Sequence, residues 1–160
     1  MTGIGSHQSA RRLSDDWLTP PWLLEQLGEF DLDPCCPPSM PWRTAKRMLT
    51  LDDDGLHADW SGRVWLNPPY SEILPWVAKL ARHGHGMLLV FARTDTSWFQ
   101  DHVFPEASAL LFLRGRLFFH RADGARAPAN AGGPTVLAAY GGADADALRS
   151  VDHLGCLVEL

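Results

Sequence analysis

A short apolar run that ends at two prolines is the feature that most constrains the fold of this chain. Residues 64–66 (Val-Trp-Leu) have the composition of a buried β-strand, and Asn-Pro-Pro-Tyr follows immediately at 67–70. Because proline cannot donate to a strand ladder, the two prolines end the strand and place Asn67 and Tyr70 at its carboxyl end. Open α/β sheets bind their ligands at the carboxyl ends of their strands. We therefore predict a ligand site around Asn67 and Tyr70.

Other apolar runs indicate a sheet that is covered on both faces. Residues 87–91, 109–113 and 135–140 carry nearly continuous apolar side chains, as do strands that are buried on both faces. A shorter strand is predicted at 30–33, and the proline-rich segment 34–50 is predicted to be irregular. These runs predict the strands of a single sheet.

Helices are predicted between these strands. A first helix is expected to begin at Pro20, with Thr19 as its N-cap, and to end at Gly28. Further helices are expected at 74–82 and 97–103. Alternating strands and helices predict an α/β fold.

A β-hairpin is predicted towards the C-terminus. Residues 117–119 (Leu-Phe-Phe) are expected to form a strand that pairs with 109–113. The connecting turn is Arg114-Gly115-Arg116. This places two arginines at the tip of a hairpin.

Length and composition predict one globular domain. The chain has 160 residues, of which 46% are apolar, so we expect a single domain at 14–160 after a flexible polar leader at 1–13. No apolar run approaches the roughly 18–20 residues that a membrane span needs. The N-terminus also lacks the apolar core of a signal peptide, so we predict a cytoplasmic protein without a membrane partner.

The cysteines and the net charge limit which metals and partners the protein is expected to bind. The three cysteines, Cys35, Cys36 and Cys156, show no zinc-site spacing with histidine, so no metal is expected. A net charge of −5 disfavours a nucleic-acid partner. Several arginines nevertheless cluster in the second half, which makes a local basic face compatible with DNA. These arginines are Arg93, Arg114, Arg116, Arg121 and Arg126.

The Asn-Pro-Pro-Tyr segment suits chemistry on an exocyclic amine. The amide oxygen of Asn67 and the carbonyl of Pro68 can each accept one of the two N–H bonds of such an amine. Tyr70 offers a flat face for the base that carries the amine. The segment fits the (Asp/Asn/Ser)-Pro-Pro-(Tyr/Phe/Trp) signature of amino-methyltransferases.

Taken together, an ordered set of motifs resembles the phage-type DNA N6-adenine methyltransferases over about 15–140. The motifs are Asp16-Trp17-Leu18-Thr19-Pro20, Phe30-Asp31-Leu32-Asp33-Pro34-Cys35, Asp54-Gly55-Leu56, Trp60, residues 64–70, Ala92-Arg93-Thr94-Asp95-Thr96-Ser97-Trp98-Phe99 and Gly115-Arg116-Leu117-Phe118-Phe119. The resemblance implies a compact Rossmann-like fold that uses S-adenosylmethionine and acts on a flipped adenine of DNA. It also implies a phage or prophage protein that acts in a bacterial host. The central region is expected to be abbreviated, because the distance from Asp33 to Asn67 is too short for two strand–helix units.

The resemblance assigns roles to particular residues. The expected catalytic residues are Asn67, Pro68, Pro69 and Tyr70. The expected cofactor-binding residues are Thr19, Pro20, Asp33, Pro34, Asp54 and Asn67. The expected DNA-binding residues are Tyr70, Arg93, Thr94, Asp95, Arg114 and Arg116. One departure is that Cys35-Cys36-Pro37-Pro38 replaces the usual Gly-x-Gly after the first strand, so backbone contacts to the cofactor must be made differently.

Two alternatives stay open at this point. The same motif would suit methyl transfer to an adenine of RNA or to a glutamine amide of a protein. The missing Gly-x-Gly would suit a nucleic-acid-binding module without catalytic activity. The recognition sequence and the oligomeric state do not follow from the sequence.

Overall fold

Seven strands and four helices make up residues 17–160, the part of the chain that this computed structural model describes. The predicted leader at 1–13 lies outside the described residues. The strands are β1 (Leu32–Asp33), β2 (Arg47–Met48), β3 (Val64–Leu66), β4 (Gly86–Phe91), β5 (Ala109–Leu113), β6 (Thr135–Tyr140) and β7 (Gly155–Glu159). The helices are α1 (Pro21–Leu27), α2 (Ile73–His83), α3 (Ser97–His102) and α4 (Gly142–Ser150).

The strands form one mixed sheet in the order β2-β1-β3-β4-β6-β5-β7. The first four strands in this order are parallel, and α2 connects β3 to β4. The next neighbour, β6, runs antiparallel to both β4 and β5, and β7 runs antiparallel to β5 at the edge. The molecule is therefore an α/β protein whose parallel half brings the carboxyl ends of β1, β3 and β4 to one edge of the sheet.

Helices cover both faces of this sheet. Apolar residues of α2 and α3 pack on one face, and those of α1 and α4 pack on the other. Successive residues of β4 alternate between the two layers, so that Leu88 and Val90 join the first cluster and Met87 and Leu89 join the second. This explains why the strand sequence is continuously apolar rather than alternating.

Several predicted elements are confirmed. The strands at 87–91, 109–113 and 135–140 and the helices at 74–82 and 97–103 all form, with ends that shift by no more than about one residue. The segment 34–50 is mostly irregular as predicted, but it contains the short strand β2. No α-helix lies between β1 and β3, so the chain crosses this part of the sheet without a complete strand–helix unit.

The predicted β-hairpin is wrong. Residues 117–119 form no strand and do not pair with β5, because β6 and β7 occupy both edges of that strand. The segment instead leads to a two-residue bridge in which Leu18 and His120 exchange backbone hydrogen bonds of 2.9 Å. Arg114 and Arg116 therefore lie in an exposed bend rather than at a hairpin tip.

The start of the first helix also differs from the prediction. The N-cap is Pro20 and the first helical residue is Pro21, and no side chain caps the helix. The Thr19 hydroxyl instead accepts a hydrogen bond from Asn67. The Thr19 side chain thus contacts Asn67 at the end of β3 and does not cap the helix. None of the helices in residues 17–160 is long and apolar enough to cross a membrane.

Candidate functional site

A cavity of about 1000 Å³ opens at the carboxyl ends of the parallel strands. Its walls come from the segments that follow β1, β3 and β4, from the turn at 50–56 and from the loop at 129–134. The size suits a nucleotide-sized ligand, since small-molecule pockets typically measure about 300–1,000 Å³. The cavity lies where the sequence predicts a ligand site.

Most of the predicted site residues line this cavity. They are Thr19, Asp33, Pro34, Asp54, Asn67, Pro68, Pro69, Tyr70, Arg93 and Asp95. Four others do not line it. Pro20 caps α1, and the Thr94 carbonyl accepts a hydrogen bond from Gln100. Arg114 and Arg116 line a separate groove.

Asn67 is held by its amide NH₂ group. Its Nδ2 donates to the carbonyl of Trp17 at 3.0 Å and to the hydroxyl of Thr19 at 3.3 Å. A carbonyl oxygen can only accept, so this contact fixes which side of the amide carries the NH₂. Within residues 17–160 no donor reaches Oδ1 of Asn67, so this oxygen remains available as an acceptor for a ligand.

Tyr70 is held flat against the end of β4. Its hydroxyl accepts a hydrogen bond of 2.7 Å from the backbone N–H of Phe91, and its ring stacks on the Phe91 ring with centroids 5.1 Å apart. The Arg93 guanidinium lies 5.7 Å from the Tyr70 centroid. Tyr70 is still 38% exposed, so part of this anchored aromatic residue remains accessible to a ligand.

Asp33 is a buried carboxylate at the cavity wall. It accepts hydrogen bonds from the Thr44 hydroxyl and from the backbone N–H of Cys35, and only 4% of the residue is exposed. Within residues 17–160 no Lys, Arg or His forms an ion pair with it. Burial raises the pKa of Asp33 to about 6, although the two hydrogen bonds oppose the shift. A cationic or hydrogen-bond-donating ligand would relieve this desolvation.

The Cys35-Cys36 loop uses its backbone donors internally. The Cys35 N–H donates to Asp33 and the Cys36 N–H donates to the carbonyl of Leu49 at 2.8 Å. The Cys35 thiol donates to the carbonyl of Asn67 at 3.4 Å, which joins the end of β1 to the end of β3. Since both N–H groups are engaged, this loop does not present the backbone donors that a Gly-x-Gly turn offers.

The acidic turn packs against the end of β1. Asp54 has a left-handed backbone with φ 47°, and its carboxylate lies within hydrogen-bond distance, 2.9 Å, of Nδ1 of His57. A Cβ atom on Gly55 would lie 1.8 Å from the carbonyl oxygen of Pro34, so only glycine permits this approach. The contact forms the wall of the cavity nearest Asp33.

Sequence reasoning missed several cavity residues. Trp17 is 45% exposed and Leu51 is 83% exposed, and both line the cavity. Thr44 and Phe119 also line it, as does the loop at 129–134. The exposed Trp17 lies in the Asp16-Trp17-Leu18-Thr19-Pro20 motif, whereas nothing local marks Thr44 as the partner of Asp33.

No group of three or more His, Cys, Asp or Glu side chains in the described part of the chain has the proximity that a metal ion requires.

A family model and a curated relative match this chain. The family model for DNA N-6-adenine-methyltransferase (Dam) matches residues 6–140. A curated relative, the DNA N-6-adenine-methyltransferase of Haemophilus phage HP1 (strain HP1c1), is 35% identical over 111 residues, which cover 62% of this chain and 62% of the relative. No solved structure matches the chain. Because the family model spans most of the sequence and includes the whole Asn-Pro-Pro-Tyr segment, this chain belongs to the DNA N-6-adenine-methyltransferase (Dam) family.

Proposed function

We propose that this protein transfers a methyl group from S-adenosylmethionine to the N6 amine of adenine in DNA. The observation that carries the proposal is the orientation of Asn67 at the cavity. Its NH₂ side is tied to Trp17 and Thr19, and its Oδ1 side has no donor among the described residues. An anchored acceptor beside an anchored aromatic ring suits a base that carries an amine.

The fold supports a Rossmann-like methyltransferase arrangement. Four parallel strands end at the cavity edge, which is where doubly wound sheets bind nucleotides. The relative from a phage supports a phage or prophage protein that acts on DNA inside a bacterial host.

The residues around Asp33 fit the proposed cofactor. A buried carboxylate without a cationic partner among the described residues suits the ammonium or ribose hydroxyls of S-adenosylmethionine. We assign the cofactor to Asp33, Pro34, Asp54 and Thr19, with apolar contacts from Leu51 and Leu56. Pro20 holds the start of α1 beside this wall and has no direct contact with the cavity. When bound, this cofactor supplies an electrophilic methyl group.

The protein would then act by positioning the amine. Asn67 Oδ1 and the Pro68 carbonyl each accept one N6–H bond, which turns the nitrogen lone pair out of conjugation with the ring. Pro69 fixes the backbone before the turn at Tyr70, and Tyr70 stacks on the flipped base. The N6–methyl bond would form as the methyl–sulfur bond breaks, with S-adenosylhomocysteine as the leaving group. The proton of the amine would pass to solvent after the lone pair has attacked, so no carboxylate base is needed, and the rate depends on orientation.

The remaining predicted residues surround the base. Arg93 and Asp95 line the cavity beside Tyr70, and Thr94 lies between them on the exposed loop. We assign these residues to the nucleotide that carries the target adenine. Arg93 suits its phosphate, because its guanidinium is exposed and carries a fixed positive charge.

The test is transfer of labelled methyl from S-adenosylmethionine to unmethylated DNA, followed by digestion to nucleosides. Label in N6-methyldeoxyadenosine is the expected result, and Asn67→Ala should lower the rate by about 10²-fold or more while the cofactor still binds. Gln26→Ala is the matched control, because Gln26 is an exposed amide on α1 that does not line the cavity.

Other outcomes would redirect the proposal. Label in RNA or protein alone would identify a different acceptor. A protein that binds DNA but neither S-adenosylmethionine nor its product would be a binding module. Near-normal turnover in Asn67→Ala would refute the role given to its amide.

A further inference from the structure

A second depression lies beside the cavity and carries three arginines. This basic groove has a volume of about 530 Å³, and its lining includes Trp22, Arg114, Arg116, Phe118, His120 and Arg126. No carboxylate is among its lining residues. A protein with a net charge of −5 thus concentrates positive charge in one concave place.

The three guanidinium groups are available to a ligand. Arg114, Arg116 and Arg126 are exposed, and within residues 17–160 none of them forms an ion pair or a side-chain hydrogen bond. The Arg126 guanidinium lies 3.8 Å from the centroid of the Phe118 ring, so it is held in place by stacking. Exposed guanidinium groups without internal acceptors suit phosphate oxygens.

The groove also presents aromatic surface. Trp22 is 46% exposed on α1, although tryptophan is usually well covered in a folded domain. A base can stack on such a ring in a sequence-independent way. The combination of arginines and an exposed indole suits a nucleic-acid strand better than a phosphate ion alone.

The segment 117–120 lies between the groove and the cavity. Leu117 and Phe119 are buried, whereas Phe118 and His120 between and after them are only partly buried. Phe119 lines the cavity, and Phe118 and His120 line the groove. Leu117 also lines the groove, so residues of this one segment form part of the wall of both sites. Arg116 also lies beside Gly133, which lines the cavity.

We propose that the basic groove binds the DNA backbone next to the nucleotide that enters the cavity, with Trp22 stacking on a neighbouring base. The inference rests on the proposed function, since it takes the cavity as the site of the target adenine. It also replaces the predicted hairpin contact by Arg114 and Arg116 with a groove in which Arg126, Phe118 and Trp22 take part.

The test measures DNA affinity against salt concentration with the full chain and a short labelled duplex. Each of Arg114→Ala, Arg116→Ala and Arg126→Ala should lower the slope of log K against log[salt] by about 0.9, because each removes one phosphate contact. Arg126→Lys should keep the slope. Trp22→Ala should weaken binding without changing the slope, because it removes stacking and no charge.

Arg82→Ala is the matched control. Arg82 is exposed in the last turn of α2, at the opposite edge of the sheet, so its loss should leave the slope unchanged. Thermal melting of every variant separates lost contacts from lost folding. Equal slopes for the groove variants and the control would overturn the inference, as would displacement of DNA by an acidic peptide as effectively as by unlabelled DNA.

Failure of the inference and failure of the proposed function are distinguishable. Methyl transfer to DNA by the unaltered protein with unchanged slopes in the groove variants would refute the groove alone. Reduced slopes in a protein that transfers no methyl to DNA would refute the proposed activity and leave the groove as a DNA-binding surface.

Discussion

Two buried carboxylates lie at opposite edges of the sheet and have opposite surroundings. Asp33, at the carboxyl end of β1, faces the cavity and accepts hydrogen bonds only from the neutral groups of Thr44 and Cys35. Asp144 is completely buried in the first turn of α4 and accepts a hydrogen bond of 2.6 Å from Arg63. His85 lies 3.7 Å from its other oxygen.

The difference separates a structural carboxylate from one that is ready for a ligand. Arg63 also donates to the carbonyls of Leu27 and Glu29 and stacks 4.2 Å from the centroid of Phe30, so the ion pair joins α1, β3 and α4. Asp33 has no such cation in the described chain and bears the cost of desolvation. A group kept in that state beside a cavity is suited to binding rather than to stability.

The largest expected effect is the loss of stability when the structural carboxylate, Asp144, is removed. Asp144→Ala leaves the Arg63 guanidinium buried without its partner, which should lower the free energy of unfolding by about 3–5 kcal/mol. Thermal melting should show a Tm lower by roughly 6–20 °C. Asp101→Ala, which removes an exposed carboxylate of α3, is the control and should melt close to the unaltered protein. Equal Tm values for the two variants would show that Asp144 has no special structural role and would remove its contrast with Asp33.

A smaller effect is expected on cofactor affinity when the charge of Asp33 is removed. Asp33→Asn keeps the size of the side chain but removes its charge, so the affinity for S-adenosylmethionine should fall about 10–100-fold. Its stability at pH 8 should stay the same or rise, because a desolvated charge is lost. Calorimetric titration measures the affinity and melting measures the stability. A large fall in Tm with unchanged affinity would show that Asp33 is structural as well.

The smallest effect is a pH dependence of cofactor affinity. The pKa of Asp33 is raised to about 6 in the folded protein, so the carboxylate is charged above that pH and protonated below it. Affinity for S-adenosylmethionine should therefore be constant near pH 8, fall as the pH drops below 6, and level off once the loss reaches the roughly 10–100-fold expected for the neutral side chain of Asp33→Asn. Titrations at a series of pH values should show this fall in the unaltered protein and not in Asp33→Asn.

The charge of Asp33 has the opposite effect on the stability of the fold: it favours cofactor binding but lowers the free energy of unfolding. Its folded pKa of about 6 exceeds the ordinary value of 3.8, so the folded state binds more protons between these values. The contribution of Asp33 to stability therefore falls as the pH rises through this window and is constant above it. Asp33→Asn should remove that part of the pH dependence of melting.

The sequence predicts those parts of the site that depend only on residues adjacent in the chain. Apolar composition and two prolines place Asn67 and Tyr70 at a strand end, and the short strand at 32–33 places Asp33 at the same edge. The hairpin prediction failed because it rested on local turn chemistry alone. Whether 117–119 pairs with β5 depends on β6 and β7, which compete for the same edges.

By itself, the sequence determined the strands at 87–91, 109–113 and 135–140, the end of the strand at 64–66 and the side chains that follow it. Only the tertiary structure decided what those side chains contact. Asn67 is oriented by Trp17, fifty residues earlier, and Asp33 is held by Thr44 from a segment without local pattern. The basic groove likewise joins Trp22 to Arg126, which lie far apart in the chain. Strand formation and termination follow from local sterics and backbone hydrogen bonding, whereas these contacts exist only once distant segments have packed together.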